Sequence, residues 1–320
     1  MRRCLEALEA QDYAPIEVIV VDNGSVDRSA EMVSEEFAYV KLITFAENRG
    51  FSVAVNEGIN AASGQLIALL NNDAEPDPHW VTELMKAADL HPAAGFFASK
   101  ILFYSDKKTI DAFGDGFAVA GFGYKRGWGE PSEKYATEDY VLGACGGAAM
   151  YRSSMLRDIM VSGEFFDGDF FAFGEDLDLS LRARLYGYKC IAIPSAVVYH
   201  RVRSTAGRGS SLSLFLSHRN FILTVMKNFP AIVILRNLHN IVGYLVISAV
   251  ADMVINRRLV YVNSYIKAFA MWPRMKAKRN EIQSKSRITP SEFQGALTRS
   301  WLSLWIKLGK MSRSVARAGL

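Results

Sequence analysis

The chain has 320 residues, of which 50% are hydrophobic and 22% are charged, so it is long enough to bury a large core in one or two domains. This composition excludes disordered, collagen-like and coiled-coil proteins. Three cysteines, Cys4, Cys145 and Cys190, are widely spaced and form no CxxC pair. They favour a reducing compartment over a disulfide scaffold.

Charge is divided unevenly along the chain. Residues 1–200 contain 17 Lys and Arg against 30 Asp and Glu, whereas residues 201–320 contain 20 against 3. A basic C-terminal part predicts an anionic partner, which is either a membrane surface or nucleic acid. Because the first 200 residues are acidic, we do not expect nucleic acid as a partner.

The first 90 residues alternate between helical and strand patterns. The spacing of apolar residues predicts helices over residues 2–9, 29–37 and 51–62, and strands over residues 16–21, 40–45 and 65–70. This order indicates a mostly parallel sheet covered by helices, with ligands beyond the carboxyl ends of the strands. Two polar strings follow such strands, at residues 22–27 (DNGSVD) and 71–75 (NNDAE).

The chain opens in a helix, whereas a doubly wound domain normally begins with a strand. We therefore expect the first strand of the sheet to be missing, or to lie upstream of Met1. Its absence would leave a gap between neighbouring strands.

The middle of the chain contains three recognisable segments. Residues 92–134 are rich in Gly and aromatic residues, which predicts strands and long loops that cover a substrate. Residues 174–179 (GEDLDL) open a helix, and residues 189–199 form a late strand, or two short ones, that ends at His200.

The C-terminal part is apolar and basic. Within residues 231–255 the uncharged run covers the 15 positions 237–251, fewer than the ~20 of a simple transmembrane span, so an interfacial or re-entrant helix is expected. Basic residues around 274–287 and the tryptophans Trp301 and Trp305 predict a helix in the headgroup region of an anionic membrane. The alternative is a helix packed on its own domain with a solvated basic face.

Taken singly, the polar motifs have ordinary structural explanations. The string after Asp22 suits a turn between a strand and a helix, and Glu175-Asp176 suits the cap of a helix. Carboxylate and amide oxygens at Asn71-Asn72-Asp73 suit a hard divalent cation bound with phosphates. His200 suits the edge of a strand.

Taken together, seven strings occur in a specific order: EVIVVDNGSVDRS (17–29), ENRGFSVAVNEGIN (47–60), LLNNDAEPDPHW (69–80), GACGGAAMYR (143–152), FFAFGEDLDLSLRARLYGYK (170–189), VVYH (197–200) and HRNFILTVMKNFP (218–230). On these strings the chain resembles the family 2 glycosyltransferases of the GT-A fold. The similar subgroup is the bacterial rhamnosyltransferase-like type, which builds cell-surface polysaccharide.

The resemblance implies a donor site. Asp22 corresponds to the aspartate that contacts the base and ribose of the donor, and Asn48 with Arg49 lies in a second loop facing the nucleotide. Asn71 and Asn72 precede Asp73 at the position of the family's DxD motif, where Asn71 replaces the first carboxylate and removes one charge.

The resemblance also implies a metal and a base. Asp73 and His200 are the expected ligands of Mg²⁺ or Mn²⁺, and Asp176 is the expected catalytic base. Glu175 is expected to orient the acceptor or the loop.

These implications describe an inverting, metal-dependent glycosyltransferase with a GT-A domain over residues 1–215 and a basic amphipathic helical region over residues 216–320. The expected donor is a dTDP- or UDP-sugar, with rhamnose favoured, and the expected acceptor is a lipid-linked saccharide or polysaccharide of the cell envelope. The expected location is peripheral, at the cytoplasmic face of the plasma (inner) membrane.

Two alternatives stay open. The missing strand and Asn71 also suit a non-catalytic or truncated remnant that binds a nucleotide sugar at the membrane. A nucleotidyltransferase shares a related architecture, but it would need a Gly-rich phosphate loop near residue 1, and the sequence has none.

Overall fold

The computed structural model describes residues 1–202, 210–254 and 257–318 of the chain. Its N-terminal part is a two-stranded parallel sheet with helices around it. The elements, close to the predicted ones, are α1 (Arg2–Glu9), β1 (Ile19–Asp22), α2 (Ser29–Glu36), β2 (Lys41–Thr44) and α3 (Phe51–Ala61). β1 begins later than predicted because Ile19 is the residue that pairs with Lys41, where β2 begins.

A seven-stranded sheet forms the centre of the molecule. Its strands are β3 (Leu66–Leu70), β4 (Ala74–Pro76), β5 (Ala94–Phe103), β6 (Ile110–Phe113), β9 (Asp139–Val141), β10 (Ala148–Arg152) and β11 (Lys189–His200). A separate hairpin consists of β7 (Asp115–Phe117) and β8 (Gly123–Lys125). The order of strands in the large sheet is β3-β10-β5-β11-β4, with β6 paired to β5 and β9 paired to β11.

The large sheet is mixed, which corrects the expectation of a mostly parallel sheet. β10 enters between β3 and β5 and is antiparallel to both, whereas β11 is parallel to β5. β3, β5 and β11 therefore run in the same direction, and their carboxyl ends meet at one edge of the sheet. Sequence periodicity does not reveal such a reversal, because a buried strand has the same apolar pattern in either direction.

The two sheets are not joined by strand pairing. Within the described ranges, neither the second edge of β1 nor the second edge of β3 pairs with a strand. The expectation of a missing or upstream first strand stays a prediction.

The Gly- and aromatic-rich segment belongs to the core, which corrects its interpretation as a substrate cover. β5 lies in the middle of the large sheet, with Phe96 and Phe97 at most 1% exposed. Phe113 and Phe117 are fully buried as well. The aromatic side chains of this segment thus supply the interior of the sheet domain.

Three helices cover the large sheet: α4 (Trp80–Leu90), α5 (Ser153–Asp158) and α6 (Glu175–Leu185). α6 begins after Gly174, whose φ of +89° is in the left-handed region that glycine adopts without a steric cost. Its first turn is acidic, as expected at the positive end of a helix dipole.

The C-terminal helices share the core of the sheet domain. They are α7 (Ser211–Asn228), α8 (Ala231–Val254), α9 (Val260–Ala270), α10 (Trp272–Ser284), α11 (Pro290–Gly295) and α12 (Trp301–Arg317). Phe229, Ile282 and Phe293 are fully buried in the same cluster as Phe113 and Phe117. The predicted division at residue 215 lies within α7 and stays a prediction.

A buried ion cluster fastens α7 and α10 to α6. The ammonium group of Lys227 contacts the carboxylates of both Asp167 and Asp178, with an Nζ to Oδ2 distance of 2.9 Å for Asp178. Arg182 donates from Nε to Asp178 at 3.1 Å, and Lys278 contacts Asp167. The side chains of Lys227, Asp167, Asp178 and Arg182 are fully buried.

α8 is a continuous helix of 24 residues, and among the described residues it is the one helix long and apolar enough to cross a membrane by length and composition. One side of it packs on the protein through Asn237, Ser248 and Asp252, which are at most 5% exposed. The other side is apolar and exposed.

The apolar side of α12 is packed on the protein, because Trp301 and Trp305 contact the chain's own core. This agrees with the alternative given above, a helix packed on its own domain.

We expect Lys227→Ala to lower the free energy of unfolding by about 3–5 kcal/mol, because it removes the ammonium group that the buried Asp167 and Asp178 carboxylates share and leaves each of them with one cationic partner. Urea unfolding followed by tryptophan fluorescence measures the change. Lys285→Ala is the matched control, since Lys285 is half-exposed in its pair with Glu281 and should lose less than about 1 kcal/mol. Equal losses in the two variants would contradict a structural role for the buried cluster.

Candidate active site

The ends of two parallel-running strands bring Asp73 and His200 together. Asp73 follows β3, and His200 is the last residue of β11. The Nε2 atom of His200 lies 3.1 Å from Oδ1 of Asp73, although the two residues are 127 positions apart in the chain. The pairing of β11 with β4 supports this contact, since His200 is opposite Ala74, the residue after Asp73.

Asp111, in β6, holds the other nitrogen of His200. Its Oδ2 is 2.8 Å from Nδ1, and the same carboxylate accepts from Nζ of Lys125 at 2.9 and 3.0 Å. A carboxylate on one imidazole nitrogen fixes the orientation of the ring and directs the other nitrogen at its partner. Sequence reasoning missed Asp111 and Lys125; the available signal was a lone carboxylate inside an apolar strand.

The charges of this group stabilise one another. Burial disfavours the imidazolium of His200, but hydrogen bonds to Asp111 and Asp73 outweigh it and raise the pKa to about 9. Burial likewise disfavours the Asp111 carboxylate, yet the charge of Lys125 and the contact with His200 hold its pKa well below the usual range. The group therefore favours an ionised Asp111 carboxylate and a protonated His200 imidazole beside it.

A second loop cluster is organised by Asn23, a residue that sequence reasoning did not single out. Its Nδ2 donates to Oδ1 of Asn48 and to the carbonyl of Gly50, both at 3.1 Å, and its Oδ1 accepts from the backbone N–H of Arg49 at 2.8 Å. Asp22, at the end of β1, accepts from the N–H of Ser25 at 3.3 Å. The predicted nucleotide-facing residues Asn48 and Arg49 are therefore tied to the turn that follows Asp22.

Asp176 is held by two backbone N–H groups at the start of α6. Its Oδ2 accepts from Gly146 at 3.0 Å, and its Oδ1 accepts from Leu177 at 2.8 Å. Burial raises the pKa of Asp176, whereas these two N–H groups lower it. The result is a carboxylate that is fixed in place and more basic than an exposed aspartate.

Consecutive glycines connect Asp176 to the end of β3. Gly146 donates to Asp176, and the carbonyl of Gly147 accepts from the N–H of Asn71 at 2.9 Å. A Cβ atom on Gly147 would lie 3.2 Å from Nδ2 of Asn71, so a larger residue at position 147 would crowd the Asn71 side chain. Asn72 is exposed and lines a cavity of about 280 Å³ with Asp73 and Arg201.

Glu175 differs in character from its neighbour Asp176. It is 6% exposed, and its Oε2 has no hydrogen-bond partner among the described residues. Burial and the adjacent charge of Asp176 raise its pKa to about 8. At neutral pH this carboxyl is protonated, so it can donate a hydrogen bond but cannot accept a proton.

Two groups of side chains could hold a cation. Asp115, Cys145 and Asp176 place one ligand atom each within 4.8 Å of one another, but burial raises the pKa of the Asp115 carboxyl and of the Cys145 thiol. Protonated groups bind Mg²⁺ or Mn²⁺ poorly. Asp73 and His200 are the better candidates for a divalent cation because Asp111 orients the imidazole. The raised pKa of His200 means that its proton must leave before the ring can bind a metal.

Comparisons with known proteins identify the family of the chain. The profile described as "Glycosyl transferase family 2" matches residues 1–160. The chain is 26% identical over 248 residues to the N-acetylglucosaminyl-diphospho-decaprenol L-rhamnosyltransferase of Mycobacterium tuberculosis, covering 69% of this chain and 78% of that protein.

Solved structures show the same fold. S. aureus TarS 1–349 in complex with UDP superposes with a TM-score of 0.56 at 14% identity, over 88% of this chain and 84% of that one. The mannosyltransferase PcManGT from Pyrobaculum calidifontis, in complex with GDP-Man and Mn²⁺, superposes with a TM-score of 0.51 at 17% identity, over 89% and 82% of the two chains. These are GT-A glycosyltransferases, which confirms the predicted fold class.

We expect Glu175→Gln to remove a pH dependence of stability. An unfolded Glu175 releases its proton near the ordinary pKa of 4.5, whereas the folded one keeps it up to about pH 8, so the free energy of unfolding of the wild type should fall as pH rises between these values. Urea titrations at pH 5, 6.5 and 8 measure the slope.

Exposed Glu133 provides the matched control, because Glu133→Gln should keep the wild-type slope. A Glu175→Gln variant with that same slope would show that Glu175 is ionised in the folded chain.

Proposed function

Because the chain belongs to glycosyl transferase family 2, we propose that this glycosyltransferase moves a sugar from a nucleotide diphosphate to an acceptor hydroxyl with inversion at the anomeric carbon. The observation that carries the proposal is the position of Asp176, a carboxylate fixed by two N–H groups and connected through Gly146 and Gly147 to the end of β3.

The donor side comprises Asp22, Asn48, Arg49 and the residues Asn71 to Asp73. We propose that Asp22 and the loop tied by Asn23 receive the base and ribose of a UDP- or dTDP-sugar. Rhamnose is favoured as the sugar because the M. tuberculosis relative is named as an L-rhamnosyltransferase. The same name includes a lipid diphosphate, which supports a lipid-linked saccharide acceptor and a role in cell-envelope polysaccharide synthesis.

Asp73 and His200 would hold a divalent cation, Mg²⁺ or Mn²⁺, together with the donor phosphates, and His200 would release its proton when the cation binds. A bound cation neutralises the charge that develops on the leaving diphosphate. Asp111 keeps the imidazole of His200 oriented. With Asn71 in place of a carboxylate, the protein provides one negative charge fewer, so the phosphates contribute more of the cation's binding.

Asp176 acts as the base in this proposal. The acceptor oxygen forms a bond to the anomeric carbon while the bond from that carbon to the diphosphate oxygen breaks, and the departing diphosphate keeps the electron pair. The acceptor proton goes to the Asp176 carboxylate. Glu175 cannot take this role at neutral pH because its raised pKa keeps it protonated; it orients the acceptor instead.

The first test measures transfer from UDP-, dTDP- and GDP-sugars with Mn²⁺ or Mg²⁺ and a membrane extract. We expect one donor to be used, activity to disappear with EDTA, and Asp176→Asn to lower kcat by about 100- to 10,000-fold. Asp89→Asn, at an exposed site at the end of α4, is the matched control and should keep full activity. Equal activity of the two variants would exclude Asp176 as the base.

We also propose that the protein binds the surface of an anionic membrane through α8. A contiguous exposed apolar side on a helix is unusual for a soluble monomer and is typical of interfacial helices. It consists of Leu235, Leu238, Val242, Val246, Val250 and Met253, which are 48–67% exposed.

Charge and burial favour lying on the membrane over crossing it. Arg236 is exposed at one end of α8, and Arg258 and Lys267 are exposed beyond the other end; basic side chains at this level attract anionic headgroups. The opposite side of α8 holds the buried Asp252, which cannot face lipid at low cost. The free cysteines fit a reducing compartment, so we place the protein at the cytoplasmic face of the plasma membrane.

Replacing Leu235, Leu238 and Val242 together by Ser should weaken binding to vesicles of phosphatidylglycerol and phosphatidylcholine by about 100-fold or more, because three apolar side chains are withdrawn from the bilayer. Vesicle flotation measures it. Leu90→Ser is the control, since Leu90 is 69% exposed on α4 and should not affect binding. Unchanged flotation of the triple variant would exclude α8 as the contact.

A further inference from the structure

Residues 170–174 form a strained connection directly before the predicted base. Phe171 and Phe173 have φ values of +64° and +69°, in the left-handed region that bulky L-residues rarely adopt. Gly174 follows and caps α6. We call residues 170–174 the strap. Such strain persists only where the surroundings enforce it.

Asn220 of α7 enforces the conformation of the strap. Its side-chain amide donates to the carbonyls of Phe170, Ala172 and Phe173 at 2.9, 2.9 and 2.7 Å. Asn220 is fully buried. A single side chain therefore donates hydrogen bonds to three backbone carbonyls of the strap.

Arg219 orients that amide and adds two bonds. Its Nε donates to Oδ1 of Asn220 at 2.9 Å, so the Nδ2 group of Asn220 must face the strap. Its Nη2 donates to the carbonyls of Asp169 and Phe170 at 3.0 and 2.8 Å. Arg219 is 8% exposed, so the guanidinium has its partners here and not in solvent.

The strap touches both halves of the site. On the donor side, the carbonyl of Phe171 accepts from the N–H of Ser52 at 3.2 Å, and a Cβ atom on Gly50 would lie 2.6 Å from the Phe171 ring. On the acceptor side, Gly174 is the N-cap of α6, and its carbonyl accepts the first bond of that helix from the N–H of Asp178 at 3.0 Å. The strap therefore leads directly into the first turn of α6, which holds Asp176.

We propose that Arg219 and Asn220 are positioning residues, which hold the strap and through it set the place of Asp176 and of the loop at Gly50 for sugar transfer. The effect of these two residues on sugar transfer rests on the proposed function, whereas their restraint of the strap does not depend on it. Neither residue contacts the reacting groups in this scheme, and both act through the backbone of residues 170–174.

The position of Asp176 controls its proton affinity. The Gly146 N–H lowers its pKa, and that bond is lost if α6 shifts. The side chains that face Asp176 are Asp115 from β7, Lys125 from β8, Tyr151 from β10, Cys145, and Glu175 on its own helix. A shifted Asp176 keeps the burial that raises its pKa while losing an N–H that lowers it, so it needs a higher pH to ionise.

The test uses Asn220→Ala in the full chain and has two independent measurements. Hydrogen exchange of the backbone amides of residues 168–177 should become at least about tenfold faster as the strap opens. In the transfer assay kcat should fall about 10- to 100-fold, as for a displaced catalytic group, and the acid limb of the pH profile should move to higher pH. Unchanged exchange would overturn the proposal, as would faster exchange with an unaltered pH profile in an active enzyme.

Two further variants separate positioning from general destabilisation. Phe173→Gly in the Asn220→Ala background should restore part of both measurements, because glycine adopts the left-handed conformation without a clamp. Asn237→Ala replaces another buried asparagine, whose hydrogen bonds among the described residues lie within α8, and should leave both measurements unchanged. If Asn237→Ala has the same effect as Asn220→Ala, or if Phe173→Gly restores neither measurement, the positioning role of the strap is contradicted.

The outcomes stay distinguishable from failure of the proposed function. If no nucleotide sugar is turned over by the wild type, hydrogen exchange alone decides whether Arg219 and Asn220 restrain the strap. If Asn220→Ala does not fold, Arg219→Lys is read in the same way, since it retains Asn220 but loses the guanidinium bonds to two carbonyls, and it should shift exchange in the same direction.

Discussion

The contact of the Lys227 ammonium with Asp167 and Asp178 is the interaction on which the rest of the structure depends. Burying three charges is costly, and well-packed apolar residues can often replace such a cluster without loss of stability. What the charged groups add is a specific arrangement of the helices. Because every carboxylate has bonds from α7, α10 or α6 itself, the cluster specifies how these helices meet. Asp176 lies on α6, and Arg219 and Asn220 lie on α7.

The site built on this frame separates into two environments. Asp73, His200 and Asp111 are joined by hydrogen bonds, and the pKa of the Asp111 carboxyl lies well below its usual range. Around Glu175, Asp115 and Cys145 burial favours protonated groups. Gly146 bonds to Asp176 and Gly147 bonds to Asn71, so one short backbone segment connects the helix start at Asp176 with the end of β3.

Local patterns predicted most elements of the fold because apolar spacing and turn residues act over a few positions. The helix over residues 2–9 has the predicted bounds, and the first three strands lie where expected. The direction of β10 could not be read, since pairing partners far along the chain decide it. The interpretation of residues 92–134 as a cover was wrong because glycine and aromatic residues occur both in loops and in tightly packed strands.

The site was predictable only where the resemblance reached. It named Asp73, His200 and Asp176, and the structure brings Asp73 and His200 into contact; their roles stay predictions. Asn23 and Asp111 were missed because an asparagine in a turn and an aspartate in a Gly-rich segment look ordinary until the fold brings distant partners to them. Arg219 and Asn220 lay within a quoted motif, but their function depends on carbonyls 47 to 50 positions away.

The contact between Gly50 and the Phe171 ring also constrains how this enzyme can diverge. Any side chain at position 50 would require Phe171 to retreat, and Phe171 lies in the connection that leads into α6. Substitutions in the loop at Gly50 should therefore be epistatic with substitutions in residues 170–174. We expect these two segments to diverge together, through paired changes and not through independent ones.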